Sequence, residues 1–306
     1  MVDLGSVALV ICGLAVFEIV TSIDNAVINA DALAVMSPRA RHWFLIWGLL
    51  AAVFLVRGLL PLLIVWAANP TLGPLEVFTA TFSQNATVLN SVETSKPPLL
   101  IAGGVFLIVL FFHWLFMEEK SYGLPGEQFI YKHGLWFYTV ASIILATITW
   151  FGIQRDPYLG FGAVAGSTVY FITHGFRQNA EENERKLAHK TDLSDLSRLL
   201  YLEVIDATFS IDGVLGAFAF TVSVPLILVG NGLAAIAVRQ LTVRNIENVK
   251  RYRYLKNGAM YSTLVLGLIM IAESFGAQTP EWLPPVVTFS IIGFFFWKSV
   301  RQVGGL

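Results

Sequence analysis

The sequence predicts an all-α integral membrane protein with about nine transmembrane helices and an inverted-topology repeat. Of the 306 residues, 56% are hydrophobic and only 13% are charged, whereas soluble domains carry roughly 25% charged residues. The charges are clustered, and apolar runs of about 20 residues separate them, the length at which a helix crosses the hydrocarbon core of a bilayer. We therefore expect residues 1–306 to form a single polytopic membrane domain.

Nine segments have the length and hydrophobicity of a membrane-spanning helix. Prolines near several starts, at 97–98, 225 and 284–285, suit a first helical turn, where the missing N–H costs nothing. The intermediate polarity of residues 69–95 indicates a loop, either plain or with a short amphipathic helix at the interface. The nine segments are residues 4–35, 43–68, 99–116, 135–151, 159–176, 199–222, 225–241, 258–275 and 283–297.

The basic residues are distributed unevenly between the two sides of this arrangement. Connections on one side, together with the C-terminal tail, carry 17 of the 20 Lys and Arg residues, and the other side carries two. Because short loops rich in Lys and Arg stay in the cytoplasm, we expect the N-terminus outside and the C-terminus in the cytoplasm of a cell inner or plasma membrane. The charged connection 177–198 is then a cytoplasmic linker that could bind a protein partner.

The composition and motifs disfavour several classes of function. A net charge of −1 indicates no nucleic-acid partner. The single cysteine, Cys12, allows neither an intramolecular disulfide nor a cysteine-based metal site. The sequence contains no P-loop, nucleotide-binding fingerprint, zincin motif or nucleophile elbow. We therefore expect no enzymatic activity and no cofactor. The first hydrophobic segment lacks the basic start of a signal peptide and is expected to be a retained helix.

A polar motif of the first span recurs in the sixth. Residues 18–27 (EIVTSIDNAV) correspond to 206–215 (DATFSIDGVL), and residues 48–57 (GLLAAVFLVR) correspond to 230–239 (GNGLAAIAVR). Because an odd number of spans separates the two starts, the copies cross the membrane in opposite directions, as in many secondary transporters. We assign residues 4–116 to repeat one, 135–176 to intervening helices, 199–275 to repeat two and 283–297 to a final helix.

The repeated motif places several acidic side chains inside the membrane. A carboxylate at the bilayer centre costs at least about 2.5–3.5 kcal/mol, so these acids indicate a functional site. The alternative is an interhelical hydrogen-bond network that only holds the bundle together. Oxygen ligands favour hard divalent cations such as Mn²⁺, although the same carboxylates could carry protons. Arg57 is a candidate charge partner and His113 a candidate relay. The predicted ion-binding residues are Glu18, Ser22, Asp24, Asn25, Glu203, Asp206, Ser210 and Asp212.

Helical geometry separates one aspartate of each motif from its other polar residues. At about 100° per residue, Glu18 and Asn25 share one stripe of the first span and Asp24 falls nearly opposite. Asp212 is placed in the same way in the second copy. Either each aspartate faces another helix, or the helix unwinds locally around residues 22–25 and 210–213. We favour local breaks, because an unwound helix would offer free carbonyl oxygens to a cation.

These motifs resemble those of the TerC-like membrane proteins, a family associated by name with tellurium resistance. The resemblance rests on residues 17–26 (FEIVTSIDNA), 202–218 (LEVIDATFSIDGVLGAF) and 256–259 (KNGA). It implies a relationship to LysE-like exporters, and some TerC-like members are linked to manganese or calcium handling. It further implies metal contacts around one ion at Glu18, Asp24, Asp206 and Asp212.

Two functions remain open. The leading hypothesis is a transporter in the lipid bilayer that exports a divalent cation by alternating access, with the metal ion as its substrate. The alternative is a non-transporting scaffold or assembly factor in a metal- or tellurite-stress complex, which would act through the linker 177–198. An intramembrane hydrolase is a distant third, because the Ser-x-Asp motifs do not match an intramembrane aspartyl-protease pattern.

Overall fold

A computed structural model describes residues 4–34, 36–69, 71–80, 86–188, 195–244 and 251–303. Over these ranges the chain is helical and has no strand, so the predicted all-α class is confirmed. The helices are α1 (Leu4–Thr21), α2 (Ile23–Ala34), α3 (Pro38–Ala68), α4 (Pro74–Thr79), α5 (Ala86–Met117), α6 (Glu127–Lys132), α7 (Trp136–Arg155), α8 (Pro157–Ala188), α9 (Asp195–Ala217), α10 (Val224–Arg244), α11 (Leu255–Ser274) and α12 (Leu283–Val303).

Seven helices in the described part of the chain are long and apolar enough to cross a membrane, namely α1, α3, α5, α7, α10, α11 and α12. The predicted span 159–176 lies within α8, and the predicted span 199–222 is helical as α9 only as far as Ala217. They fall outside this group because they are more polar. The chain is therefore a multi-pass membrane protein, and the count of nine spans stays a prediction.

Two prolines lie inside a helix and not at its start. The sequence places a helix start at Pro97–Pro98, but α5 begins at Ala86 and contains both prolines. Membrane helices tolerate proline where neighbouring groups satisfy the freed carbonyls. The predicted loop 69–95 accordingly contains the short helix α4 and the first turns of α5. Residues 70 and 81–85 of that loop lie outside the described ranges.

The helices that carry the acidic motifs are nearly continuous. Only Ser22 separates α1 from α2, and the helical hydrogen bonds Ser22 N–Glu18 O (3.0 Å) and Ala26 N–Ser22 O (2.9 Å) continue across it. Helix α9 runs without interruption through residues 210–213. The predicted break in the second copy is therefore wrong, and the break in the first copy is limited to one residue. No unwinding is needed because each aspartate faces another helix.

Part of the predicted linker 177–198 is helical. Helix α8 continues out of the predicted fifth span through Ala188, and α9 begins at Asp195. Residues 189–194 lie outside the described ranges. The proposed partner-binding function of this linker therefore stays a prediction.

The two repeats pack crosswise. Helix α1 of repeat one packs along α10 of repeat two, while α9 of repeat two packs against α3 of repeat one. Helix α5 contacts α8, α9 and α11, whereas α7 and α8 expose aromatic side chains, as lipid-facing helices do. This packing places α1 and α2 beside α9, so the two acidic motifs meet. The side chains of α5 that are at most 2% exposed include Leu100, Ile101, Phe106, Leu107 and Trp114.

Candidate functional site

Glu18 and Asp206, which occupy equivalent positions in the two repeats, share one guanidinium. Arg57 Nη2 lies 2.9 Å from Glu18 Oε1, and Arg57 Nη1 lies 3.6 Å from Asp206 Oδ2. All three residues are buried: Glu18 is 1% exposed, Arg57 is 2% exposed and Asp206 is 5% exposed. Arg57 belongs to a π-helical stretch of α3, Ala52–Leu59, a distortion that is frequent at functional sites. Charges buried this deeply persist only when they are paired.

Asn25, Glu203 and Arg239 extend these contacts into a larger cluster. Asn25 Nδ2 donates a hydrogen bond to Asp206 Oδ1 at 2.5 Å. Arg239 Nη2 lies 3.6 Å from Glu203 Oε1 and 3.9 Å from Asp206 Oδ2. When all its groups are ionised, the cluster carries three negative charges and two positive charges. We refer to Glu18, Asn25, Arg57, Glu203, Asp206 and Arg239 as the buried charge network.

Arg239, the counterpart of Arg57 in the second repeat, lies inside the bundle. Its side chain is buried, and its guanidinium carbon lies 3.6 Å from the centroid of the Phe44 ring. The aromatic face and the two carboxylates together compensate the charge of Arg239.

The two predicted serines differ in their contacts. Ser22 Oγ donates to Glu18 Oε1 at 3.2 Å, whereas Ser210 Oγ donates to a backbone carbonyl of its own helix.

The position of Glu18 depends on a glycine in the neighbouring helix. A β-carbon at Gly213 would overlap the Glu18 carboxylate. Gly213 stands in the second copy where Asn25 stands in the first. This difference between the repeats therefore makes room for the acid, while Asn25 itself binds Asp206.

Asp24 and Asp212, the second pair at equivalent positions, face a different part of the molecule. Both line a cavity of about 330 Å³, which we call the aspartate cavity. Neither Glu18 nor Asp206 lines it. The helical-wheel separation therefore corresponds to two sites on different faces of α1–α2 and α9. The other charged or polar residues of the cavity wall include His113, Glu118, Glu119, His174, Arg177, Gln178 and Lys256.

Each of these aspartates is paired with a basic side chain. Lys256 Nζ lies 2.7 Å from Asp24 Oδ2, and Arg177 Nη1 lies 3.3 Å from Asp212 Oδ2. The sequence did not identify either base as a site residue, although Lys256 belongs to one of the recognised motifs. Their role becomes visible only when α8 and α11 are placed beside α9 and α2.

Two histidines and a glutamate form one wall of the aspartate cavity. The rings of His113 and His174 have centroids 4.2 Å apart, and His113 Nδ1 lies 3.7 Å from Glu118 Oε1. Glu118 follows the last residue of α5. Burial alone would raise the pKa of the Glu118 carboxyl, but His113 and the charges of Lys256 and Arg177 hold it well below its usual range. The ionised carboxylate increases the attraction of the cavity for cations.

The four predicted metal contacts do not surround a single point. Glu18 and Asp206 belong to the buried charge network, whereas Asp24 and Asp212 belong to the aspartate cavity. Among the described residues, no three His, Cys, Asp or Glu side chains are arranged to hold a metal ion. Basic side chains lie between several of the acids: Arg57 between Glu18 and Asp206, and Lys256 between Asp24 and Glu118.

A second cavity, of about 550 Å³, lies toward the other end of the bundle. We call it the Glu273 cavity; Lys96 Nζ lies 3.7 Å from Glu273 Oε2 in its wall. It is lined by early residues of α1, such as Val10, whereas the aspartate cavity is lined by late ones. Phe17 of the aspartate cavity and Phe220 of the Glu273 cavity have ring centroids 5.8 Å apart. This aromatic contact lies between the two cavities.

Comparison with known proteins supports the membrane assignment. Over 186 residues, which are 58% of this chain, the sequence is 26% identical to an uncharacterized membrane protein of Rickettsia prowazekii (strain Madrid E). The match spans 60% of that relative's length. No solved structure matches the chain.

A family model matches almost the whole chain, from residue 23 to residue 304, and so includes Asp24, Asp206 and Asp212. The resemblance to TerC-like proteins is not confirmed by this match and stays a prediction. The matching model is described as "Protein of unknown function (DUF475)", and its coverage shows that the chain belongs to the DUF475 family.

Proposed function

We propose that this protein transports a cation across the membrane, with the aspartate cavity as its binding site. The observation that carries the proposal is that Asp24 and Asp212, at equivalent positions of the two repeats, line the same cavity. With Glu118 and Glu119, the cavity wall has four carboxylates against the two bases Lys256 and Arg177. An excess of carboxylates concentrates cations, and hard divalent ions such as Mn²⁺ are the class that oxygen ligands favour.

The two cavities support a mechanism of alternating access. Each reaches into the bundle from a different end, and the contact of Phe17 with Phe220 lies between them. A transporter needs this arrangement, because the site must open to one side while the other is closed. Movement of the crosswise-packed repeats would separate the Phe17 and Phe220 rings and so open the path between the two cavities. The protein's own residues would act by binding and release, without enzymatic chemistry.

The proposed direction is export through a cell inner or plasma membrane, in keeping with the resemblance to TerC-like and LysE-like proteins. The connections between predicted spans that carry Arg177 and Lys256, residues 177–198 and 239–256, are among those that the distribution of basic residues assigns to the cytoplasm. The aspartate cavity would therefore open toward the cytoplasm, where it would collect the ion before release on the other side.

Reconstitution tests the proposal directly. Purified protein in liposomes should carry Mn²⁺ to a Mn²⁺-sensitive dye inside the vesicles. Asp24→Asn or Asp212→Asn should reduce the initial rate by about tenfold or more, since the loss of about 1.4 kcal/mol of binding energy changes an equilibrium tenfold. The matched control is Asp156→Asn, between α7 and α8, where the side chain accepts a hydrogen bond from Tyr158 N and asparagine can do the same.

The outcomes separate the open functions. Flux that requires the protein, is lost in both cavity variants and survives in the control would support transport. Equal dye response in vesicles with and without folded protein would contradict it and favour the scaffold alternative. Equal flux in the wild type and both cavity variants would place the ion path elsewhere.

A further inference from the structure

Lys256 holds two carboxylates of the aspartate cavity at once. Its Nζ lies 2.7 Å from Asp24 Oδ2 and 2.8 Å from Glu118 Oε2. The three groups come from separate parts of the chain: α2, the end of α5 and the start of α11. The ammonium group therefore lies between two acids in a position that a bound cation would otherwise take.

A neighbouring residue fixes the start of α11 and so holds Lys256 in this position. Asn257 is 1% exposed, and its Nδ2 donates to Ser121 O at 2.9 Å and to Glu127 Oε2 at 3.1 Å. Glu127 in turn accepts hydrogen bonds from the backbone N–H groups of Gly123 and Leu124, at 2.7 and 3.0 Å. The connection after α5 is thus tied to α11, and Glu118 is held beside Lys256.

An ammonium group on a lysine side chain has three properties of a bound cation. It carries a positive charge, it donates to several oxygen atoms at once and it accepts no hydrogen bond. It differs in being tethered, so it can leave the acids and return without being lost to solvent. A free cation that binds Asp24 and Glu118 must displace it, because two positive charges at one position repel each other.

We propose that Lys256 is a built-in competitor for the transported cation, which weakens binding in the cavity and promotes release. The inference rests on the proposed function, because it assumes that a cation binds in the aspartate cavity. It identifies Lys256 as a residue that sets affinity without contacting the bound ion. The expected effect on affinity is unusual for a residue in a binding site, because removal of the Lys256 charge should tighten cation binding.

Binding of Mn²⁺ to the detergent-solubilised full chain tests this without any need for transport. The free ion is measured by its electron paramagnetic resonance signal. Lys256→Gln should lower the dissociation constant for Mn²⁺ by about tenfold or more, because it removes a positive charge that repels the ion at close range. The matched control is Lys298→Gln, because the Lys298 ammonium contacts the backbone carbonyl of Gly123.

A chemically restored charge provides a second test on a single folded sample. The native thiol, Cys12, is first removed by Cys12→Ala, and Lys256→Cys then introduces a thiol in the cavity. Reaction with an aminoethyl thiosulfonate should return the affinity toward the wild-type value, whereas a neutral methyl reagent should not. Size-exclusion chromatography before and after the reaction shows that the fold is intact, so this arm decides the question even when Lys256→Gln expresses poorly.

The results keep the two proposals apart. Tighter Mn²⁺ binding in Lys256→Gln without flux in liposomes would support the competitor and contradict transport. Mn²⁺ flux in the wild type with equal affinity in Lys256→Gln, Lys298→Gln and the wild type would leave transport in place and overturn the competitor. The absence of Mn²⁺ binding in every variant, or weaker binding after loss of the Lys256 charge, would also overturn it.

Discussion

Arg57 joins carboxylates from two different repeats within the membrane. Its contacts with Glu18 and Asp206 are almost completely shielded from solvent. Breaking one partner of a buried ion pair leaves an uncompensated charge, which costs much more than the pair contributes when intact. The mid-span arginine is therefore expected to be needed for folding whatever the protein transports.

Arg57→Met should lower the free energy of unfolding in detergent by about 3–5 kcal/mol, because Glu18 and Asp206 would lose their shared cation. Adding Glu18→Gln to this variant should restore part of the loss, since one of the stranded charges is removed as well. Arg39→Met, at an exposed site in the first turn of α3, is the control. A loss of stability no larger than that of the control would contradict the role assigned to Arg57.

Glu118 gives the stability of the protein a predictable dependence on pH. Its carboxyl has a pKa below the ordinary value of 4.5 in the folded protein. A group with a lowered folded pKa stabilises the protein above its unfolded pKa, and this contribution is lost as the pH falls through the folded value. The stabilisation by Glu118 should therefore be complete at neutral pH.

Glu118→Gln should thus destabilise the protein at neutral pH, and the difference from the wild type should shrink as the pH falls below about 4.5. Thermal unfolding in detergent across this range measures the difference. The adjacent, exposed Glu119 supplies the control variant Glu119→Gln. A difference that stays constant or grows on acidification would show that the charge of Glu118 is not what stabilises the fold.

At the level of single helices, the sequence correctly predicted that Asp24 and Asp212 lie apart from the other polar residues of their motifs. The favoured reason for this separation was wrong. Spacing alone placed Asp24 and Asp212 away from the Glu18 stripe, and the structure keeps them apart. The favoured explanation, local unwinding, fails for α9, which is continuous through Asp212. The partners Lys256 and Arg177 lie far away in sequence, so a projection of one helix cannot reveal them.

Close packing of α1 against α9 depends on Gly213. Gly213→Ala should push the Glu18 carboxylate away from Arg57 and reduce stability by roughly 1–3 kcal/mol, the usual cost of overpacking. Gly175→Ala in α8 is the matched control, since nothing lies within 4 Å of a β-carbon there, and alanine favours a helix more than glycine does. Equal unfolding curves for the two variants in detergent would show that Glu18 can move at little cost.

Across the whole molecule, the internal repeat was the most informative feature of the sequence. It predicted that the acids of the two copies come together, and in the structure Glu18 and Asp206 share Arg57 while Asp24 and Asp212 line one cavity. It did not predict that these pairs form separate sites, because that depends on where Arg57 and the helices α8 and α11 lie.

The predicted number of spans, nine, differs from the seven long apolar helices of the described residues for a physical reason. Helices α8 and α9 are polar enough to fall outside simple hydrophobicity limits.

The aromatic contact between Phe17 and Phe220 has an electrical consequence. Water filling both cavities would bring each bathing solution close to these rings, so most of the membrane voltage would fall across a thin insulating partition. Each elementary charge that crosses it would gain or lose about 2.3 kcal/mol per 100 mV, and a divalent ion twice as much. A cell's resting potential would therefore act on the ion almost entirely at this one step, and transport without a compensating charge would be strongly electrogenic.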